Sequence, residues 1–156
     1  MTTAWADFET AERDFAGIVR TRFAGYRHHV LATVRADGAP RLSGLEVDFR
    51  FGELWLGMMG GSRKAADLRR DPRFAVHANP GPGDGMDGGD ARIAGRAFEV
   101  NDPALVARYA AETEPPEPFH LFRTAVEEVV RTTVEGDELV VSFWRPGHGL
   151  RTVRRR

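Results

Sequence analysis

The chain has 156 residues, of which 42% are hydrophobic and 29% charged, with a net charge of −1 and a pI near 6.5. That length and balance suit one globular domain with a full core, and they supply no global field that favours nucleic acid or an anionic membrane. With no cysteine present, disulfides, thiolate catalysis and cysteine-ligated metals are excluded.

The acidic, amphipathic N-terminus does not read as a signal peptide, and no apolar run reaches the length of a membrane span. A reducing cytoplasm is the expected compartment. Residues 3–22 are predicted as one helix: Trp5, Phe8, Phe15, Ile18 and Val19 recur near helical spacing, with Glu9, Glu12, Arg13 and Arg20 opposite. Gly25 ends it. From His28 the period becomes two, and Asp37-Gly38 between apolar runs marks a hairpin. The return strand is predicted from Pro40 to Phe49, with Leu45, Val47 and Phe49 on one face. Gly52 turns the chain into a buried strand from Leu54 to Met58.

The next stretch organises the rest. Gly60 and Gly61 form a tight turn into a short helix opened by Ser62 and closed before Pro72. Glycine lets the backbone turn sharply and lets a ligand come close to it. Ser62 is a good N-cap, and Arg63 and Lys64 occupy the first helical turn, where cations oppose the macrodipole unless an anion offsets them. Free N–H groups, a hydroxyl and two cations at one helix start make a phosphate cradle. The plain alternative is a strand–turn–helix whose basic residues are only solvated.

Arg73 to Ala78 supplies another strand, and residues 79–90 (NPGPGDGMDGGD) form an irregular loop. Its Asp84, Asp87 and Asp90 lack the ligand pattern of an EF-hand and are read as solvated. Ala91 to Val100 is a strand, and Asp102-Pro103 opens a helix over residues 103–113. Glu114 to Pro118 is a connector, and Phe119 to Arg123 is either one helical turn or an extended piece. Ala125 to Val134 and Glu138 to Trp144 form a hairpin around Gly136-Asp137, and Leu150 to Val153 is a last short strand. This succession, without alternating βαβ units, argues for a small antiparallel α+β barrel in a single domain spanning residues 1–156. There is no GxGxxG after a first strand and no Walker loop.

No side chain presents itself as catalytic. His28, His29, His77, His120 and His148 have no metal-site spacing, and Ser43 and Ser62 stand in no nucleophile elbow. Glu46 and Asp48 are read as solvent-facing. Met58 and Met59 either fill the core or floor a ring system. The basic tail (Arg151, Arg154, Arg155, Arg156) is read as solvated, with no nucleic-acid partner. A chain without acid, base, nucleophile or metal set but with a phosphate cradle suits a protein whose cofactor does the chemistry.

The runs LATVRADGAPRLSGLEV and GELWLGMMGGSRKAADLRRDPRFAVHA, and more loosely the terminal ELVVSFWRPGHGLRTVRR, resemble the pyridoxamine 5′-phosphate oxidase-like superfamily. The resemblance implies an α+β, mainly β fold: an antiparallel six- or seven-stranded split barrel with two to four peripheral helices. It implies a homodimer with FMN, or alternatively the deazaflavin coenzyme F-420, at the subunit interface. By family pattern Ser62, Arg63 and Lys64 hold the cofactor phosphate, and Gly57, Met58 and Met59 lie along the ribityl chain and phosphate. Arg41, Ser43 and Leu45 line the ring, and Trp144 and Arg145 reach the site from the other subunit. The implied function is a flavin- or deazaflavin-dependent oxidoreductase moving hydride to or from a small conjugated substrate. The alternative is a non-catalytic protein that sequesters a flavin, haem or tetrapyrrole. The second strand, RLSGLEV, lacks the lysine that pyridoxamine phosphate oxidases carry there, so vitamin B6 oxidation is not implied.

Overall fold

The structure, a computed structural model, describes residues 3–82 and 88–156. Its strands are β1 (His29–Val34), β2 (Pro40–Leu45), β3 (Val47–Arg50), β4 (Glu53–Met59), β5 (Arg73–His77), β6 (Asp90–Glu99), β7 (Phe119–Glu135), β8 (Glu138–Arg145) and β9 (Gly149–Arg155). Its helices are α1 (Trp5–Ala11), α2 (Arg13–Ala24), α3 (Arg63–Arg70) and α4 (Pro103–Thr113). The strands form one antiparallel sheet whose main path runs β2-β1-β5-β6-β7-β4-β3, with β8 on β7 and β9 on β8.

β2 and β3 are the two ends of that path, yet they follow one another in the chain with only Glu46 between them. Leu45 pairs with His29 on β1, whereas Val47 pairs with Leu56 on β4. One residue of chain, rather than a ladder, joins the two ends of the sheet. The result is a split barrel. Its interior is filled by alternate residues of the strands, among them Leu31, Leu54, Leu56, Val76, Ile93, Phe122 and Val126. Leu45, Val47 and Phe49 face this core together, as their alternation predicts. Trp5 and Phe8 of α1 and Val19 and Phe23 of α2 are fully covered and belong to the same core.

Four expectations change. The single N-terminal helix is two, broken at Glu12 (φ −139°, ψ 67°), which lets Phe8 and Phe15 meet edge to face with ring centroids 5.9 Å apart. Ile18, expected on the buried stripe, is 45% exposed. The return strand divides at Glu46, because its halves pair with different neighbours. Of the two readings open for Phe119 to Arg123 the extended one holds, and the piece is continuous with the strand after it, since β7 pairs first with β4 and then with β6 over its 17 residues. With β9 paired along its whole length, the strands number nine instead of six or seven. The helix over 103–113 stands as expected, with Asp102 Oδ1 accepting from the Ala104 amide at 3.0 Å. Asp84 and Asp87 lie outside the described residues, and Asp90 pairs with Thr132 in the sheet. Among the described residues no helix is long and apolar enough to cross a membrane.

Candidate functional site

A groove of about 650 Å³ opens where the two ends of the sheet come together. Its walls are the β2–β3 junction from Gly44 to Asp48, the end of β4 from Gly57 to Met59, Lys64 on α3, and the stretch from Tyr109 through Pro116 at the end of α4. Leu45, Met58 and Phe119 give it an apolar floor, while Lys64, Asp48 and Arg50 supply charge. That volume lies inside the range of roughly 300–1,000 Å³ typical of small-molecule sites.

The β4–α3 turn is held through its backbone amides, two of them bonded to the start of β7 and the residue before it. Gly60 N donates to Pro118 O (2.9 Å), Gly61 N to His120 Nε2 (3.1 Å) and Ser62 N to Met59 O (3.2 Å). Gly61 has φ +73°, which glycine adopts freely. A Cβ on Gly60 would lie 2.6 Å from Pro118 Cγ, so the close approach that this glycine permits is by its own chain and not by a ligand. The turn amides are therefore committed. The donors left at the helix start are the first-turn amides of Arg63, Lys64 and Ala65, which have no acceptor one turn earlier. Ser62 has the extended backbone of an N-cap (φ −66°, ψ 146°) but its side chain makes no cap bond, contrary to expectation. Its Oγ and that of Ser43 are buried and have no hydrogen-bond partner among the described residues.

The two expected phosphate cations diverge. Lys64 Nζ donates to Gly44 O at 3.0 Å across the groove wall, and burial lowers its pKa. Arg63 lines a separate cleft of about 300 Å³ beside the β1–β2 hairpin, together with Arg35, Arg41, Arg70 and Asp67. Asp67 is 2% exposed; its Oδ2 accepts from Thr33 Oγ1 (2.8 Å) and Arg41 Nε (2.7 Å), and its Oδ1 from Arg70 Nη2 (3.1 Å). Burial alone would raise this carboxyl, but the three donors outweigh it and hold the pKa below the ordinary value. Arg41 is thus tied to α3 and lines that cleft instead of the groove.

Of the remaining expected residues, Leu45, Gly57, Met58 and Met59 line the groove and Ser43 sits on β2 between Arg41 and Leu45. Trp144 and Arg145 do not join them. Trp144 is 4% exposed and packs on Phe8 with centroids 4.7 Å apart, so its ring is spent in its own core. Arg145 is bound to Glu128 at 2.6 and 2.9 Å.

The family model for pyridoxamine 5′-phosphate oxidase matches residues 19–132. The chain belongs to that family. Among solved structures it is similar to a pyridoxamine 5′-phosphate oxidase-related, FMN-binding protein of Nostoc punctiforme PCC 73102, at 16% identity, covering 93% of this chain and 96% of that one with a TM-score of 0.64. It is similar to Campylobacter jejuni ChuZ at 11% identity, covering 88% of this chain and 61% of the other, with a TM-score of 0.64. It is also similar to a haem-binding protein of Mycobacterium smegmatis at 17% identity, covering 87% and 57%, with a TM-score of 0.54. The chain thus spans about three fifths of the length of the last two. At these identities the likeness establishes the shared fold. No curated protein is similar enough in sequence to match.

In this family member the groove holds a network that sequence reasoning missed. Tyr109 on α4 donates its hydroxyl to Asp48 Oδ2 (3.2 Å), Arg50 Nε bonds the same carboxylate, and Arg50 Nη1 reaches Glu112 Oε2 (3.0 Å). Asp48 is therefore engaged in the groove and is not a free solvent-facing acid. Burial, then the neighbouring Asp48 charge, push the Tyr109 phenol far above its ordinary pKa, so it is a donor and never a base near neutrality. The Leu105/Tyr109 spacing of four on α4 was the available signal, since it marks the helix face that packs inward. His120 was the other omission, and nothing in its sequence neighbourhood marks it.

Proposed function

We propose that this chain binds FMN, with the deazaflavin coenzyme F-420 as the alternative, and works as an oxidoreductase on a small conjugated substrate, the site lying between two copies of the chain. One observation carries the reading: a groove of cofactor size runs along the end of β4 to the ammonium of Lys64 in the first turn of α3, and the N-cap of that helix, Ser62, keeps a buried hydroxyl that has no partner among the described residues. Hydroxyls and an ammonium are donors suited to phosphate oxygens, and the first-turn amides add to them. A flavin or deazaflavin bound there supplies the hydride-transfer chemistry. The chain's own contribution is to grip, orient and cover. Lys64, Ser62 and the α3 amides hold the anionic end, while Arg63, on the same turn, faces the neighbouring cleft. Leu45, Val47 and Met58 give the ring an apolar floor, and Tyr109, its hydroxyl proton committed to Asp48, braces the far wall. Met59, 75% exposed at the groove lip, supports a second copy closing the open side.

Titration with FMN and with riboflavin tests this. Lys64→Ala should weaken FMN roughly tenfold or more and leave riboflavin nearly unchanged, because only FMN carries the phosphate. Equal affinity of the parent chain for both flavins would remove the phosphate assignment. A second reading, sequestration of haem or another tetrapyrrole without catalysis, draws on His28, an exposed imidazole on the groove wall whose Nε2 lies 3.5 Å from Glu46. The absorption spectrum of material that co-purifies with the protein separates the two.

A further inference from the structure

We infer that His120 is a positioning residue for the phosphate end of the site: its Nε2 accepts from the Gly61 amide and latches the β4–α3 turn. The inference rests on the flavin-phosphate reading above and adds a residue to it.

The Gly61 backbone N–H can only donate, and it points at His120 Nε2 from 3.1 Å, so Nε2 is the acceptor in that bond. Nδ1 faces two groups at once, Glu99 Oε2 at 3.0 Å and Arg69 Nη2 at 2.9 Å. Arg69 also makes a bidentate pair with Glu99 at 2.7 and 2.9 Å. The charged groups facing the imidazole are therefore Glu99 from the end of β6 and Arg69 from α3, and His120 itself pairs with Met58 across the β7–β4 ladder. Three elements are joined at this ring. Its acceptor nitrogen holds one of the two glycines that lead into Ser62, Arg63 and Lys64.

Removing that acceptor leaves the Gly61 amide with no side-chain partner among the described residues. The turn loosens, and the first-turn amides and Lys64 lose their fixed aim at a phosphate. Riboflavin, lacking the phosphate, is indifferent to this latch.

The test uses the full chain and two variants. His120→Gln keeps an acceptor oxygen within reach of Gly61; His120→Leu removes the acceptor. Hydrogen exchange at the Gly61 amide is measured without cofactor, and FMN and riboflavin affinities are measured for each chain. We expect His120→Leu to expose the Gly61 amide and to weaken FMN about three- to tenfold, the value of one lost hydrogen bond, with riboflavin unchanged, and His120→Gln to restore both protection and affinity. Unchanged Gly61 protection in His120→Leu, or an FMN loss in His120→Gln as large as that in His120→Leu, overturns the inference. Absence of FMN binding by the parent chain overturns the flavin reading, while the exchange arm still decides whether His120 holds the turn.

Discussion

At the residue scale, the SRK triplet shows how far spacing carries. Residues 62–64 sit at a helix start as their types require, yet Arg63 and Lys64 enter different cavities. Adjacent helical residues project about 100° apart, so one groove could not take both. Lys64 carries a two-sided prediction. Its pKa is lowered by burial, so the folded chain disfavours the ammonium. That cost is fully present below the folded pKa and disappears as pH rises through it towards the unfolded value. Apo stability should therefore rise relative to Lys64→Met over that alkaline interval while FMN affinity falls, and denaturant melts paired with titrations at stepped pH will show whether the two slopes oppose. Asp67 behaves in the reverse sense. Its folded pKa is depressed, so its stabilisation is present above the unfolded value near 3.8 and is lost as pH falls through the folded one. Asp67→Asn should cost about 2 kcal/mol at neutral pH, a figure discounted because Arg41 and Arg70 are partly exposed, and urea melts at pH 7 and pH 3 should show the difference shrinking.

Elements were the most legible level. The two hairpin dipeptides, the Asp102-Pro103 helix start and the α3 stop before Pro72 all stand where local chemistry puts them. Tertiary pairing was the part that local patterns could not contain: whether Phe119 to Arg123 extends depends on β4 and β6 lying on either side of it. The β6–β7 ladder also slips register between Ala94 and Gly95, and a Cβ on Gly95 would lie 1.9 Å from Ala125 O. Only glycine fits that bulge. Gly95→Ala should destabilise the fold by about 3 kcal/mol or more, read from the midpoint of chemical unfolding, whereas Gly38→Ala, with open space around its Cβ and only its φ of +86° to strain it, should cost about 1 kcal/mol.

For the whole molecule, family membership and barrel were readable because α3 and its flanking strands are a contiguous signal; the packing of Trp144 on Phe8 was not, because it depends on a helix more than a hundred residues earlier in the chain. The proposed two-copy site makes its own prediction. Leu42 and Met59 are the most exposed large apolar residues described, at 71% and 75%, and Met59 stands at the groove lip. Sedimentation should give twice 17.3 kDa for the parent chain, and Met59→Asp should shift it towards one copy and lower flavin affinity together. A monomeric parent that binds flavin at full strength would separate the groove from any assembly.

Because Glu46 alone carries the chain from one border of the sheet to the other, that position has no slack. Removing it would put Val47 where a residue of opposite facing belongs, turning Asp48 and Arg50 towards the oily interior and Phe49 out to water. A chain shortened there by one residue should fail to fold, whereas Glu46→Ala, which keeps the spacing, should melt close to the parent.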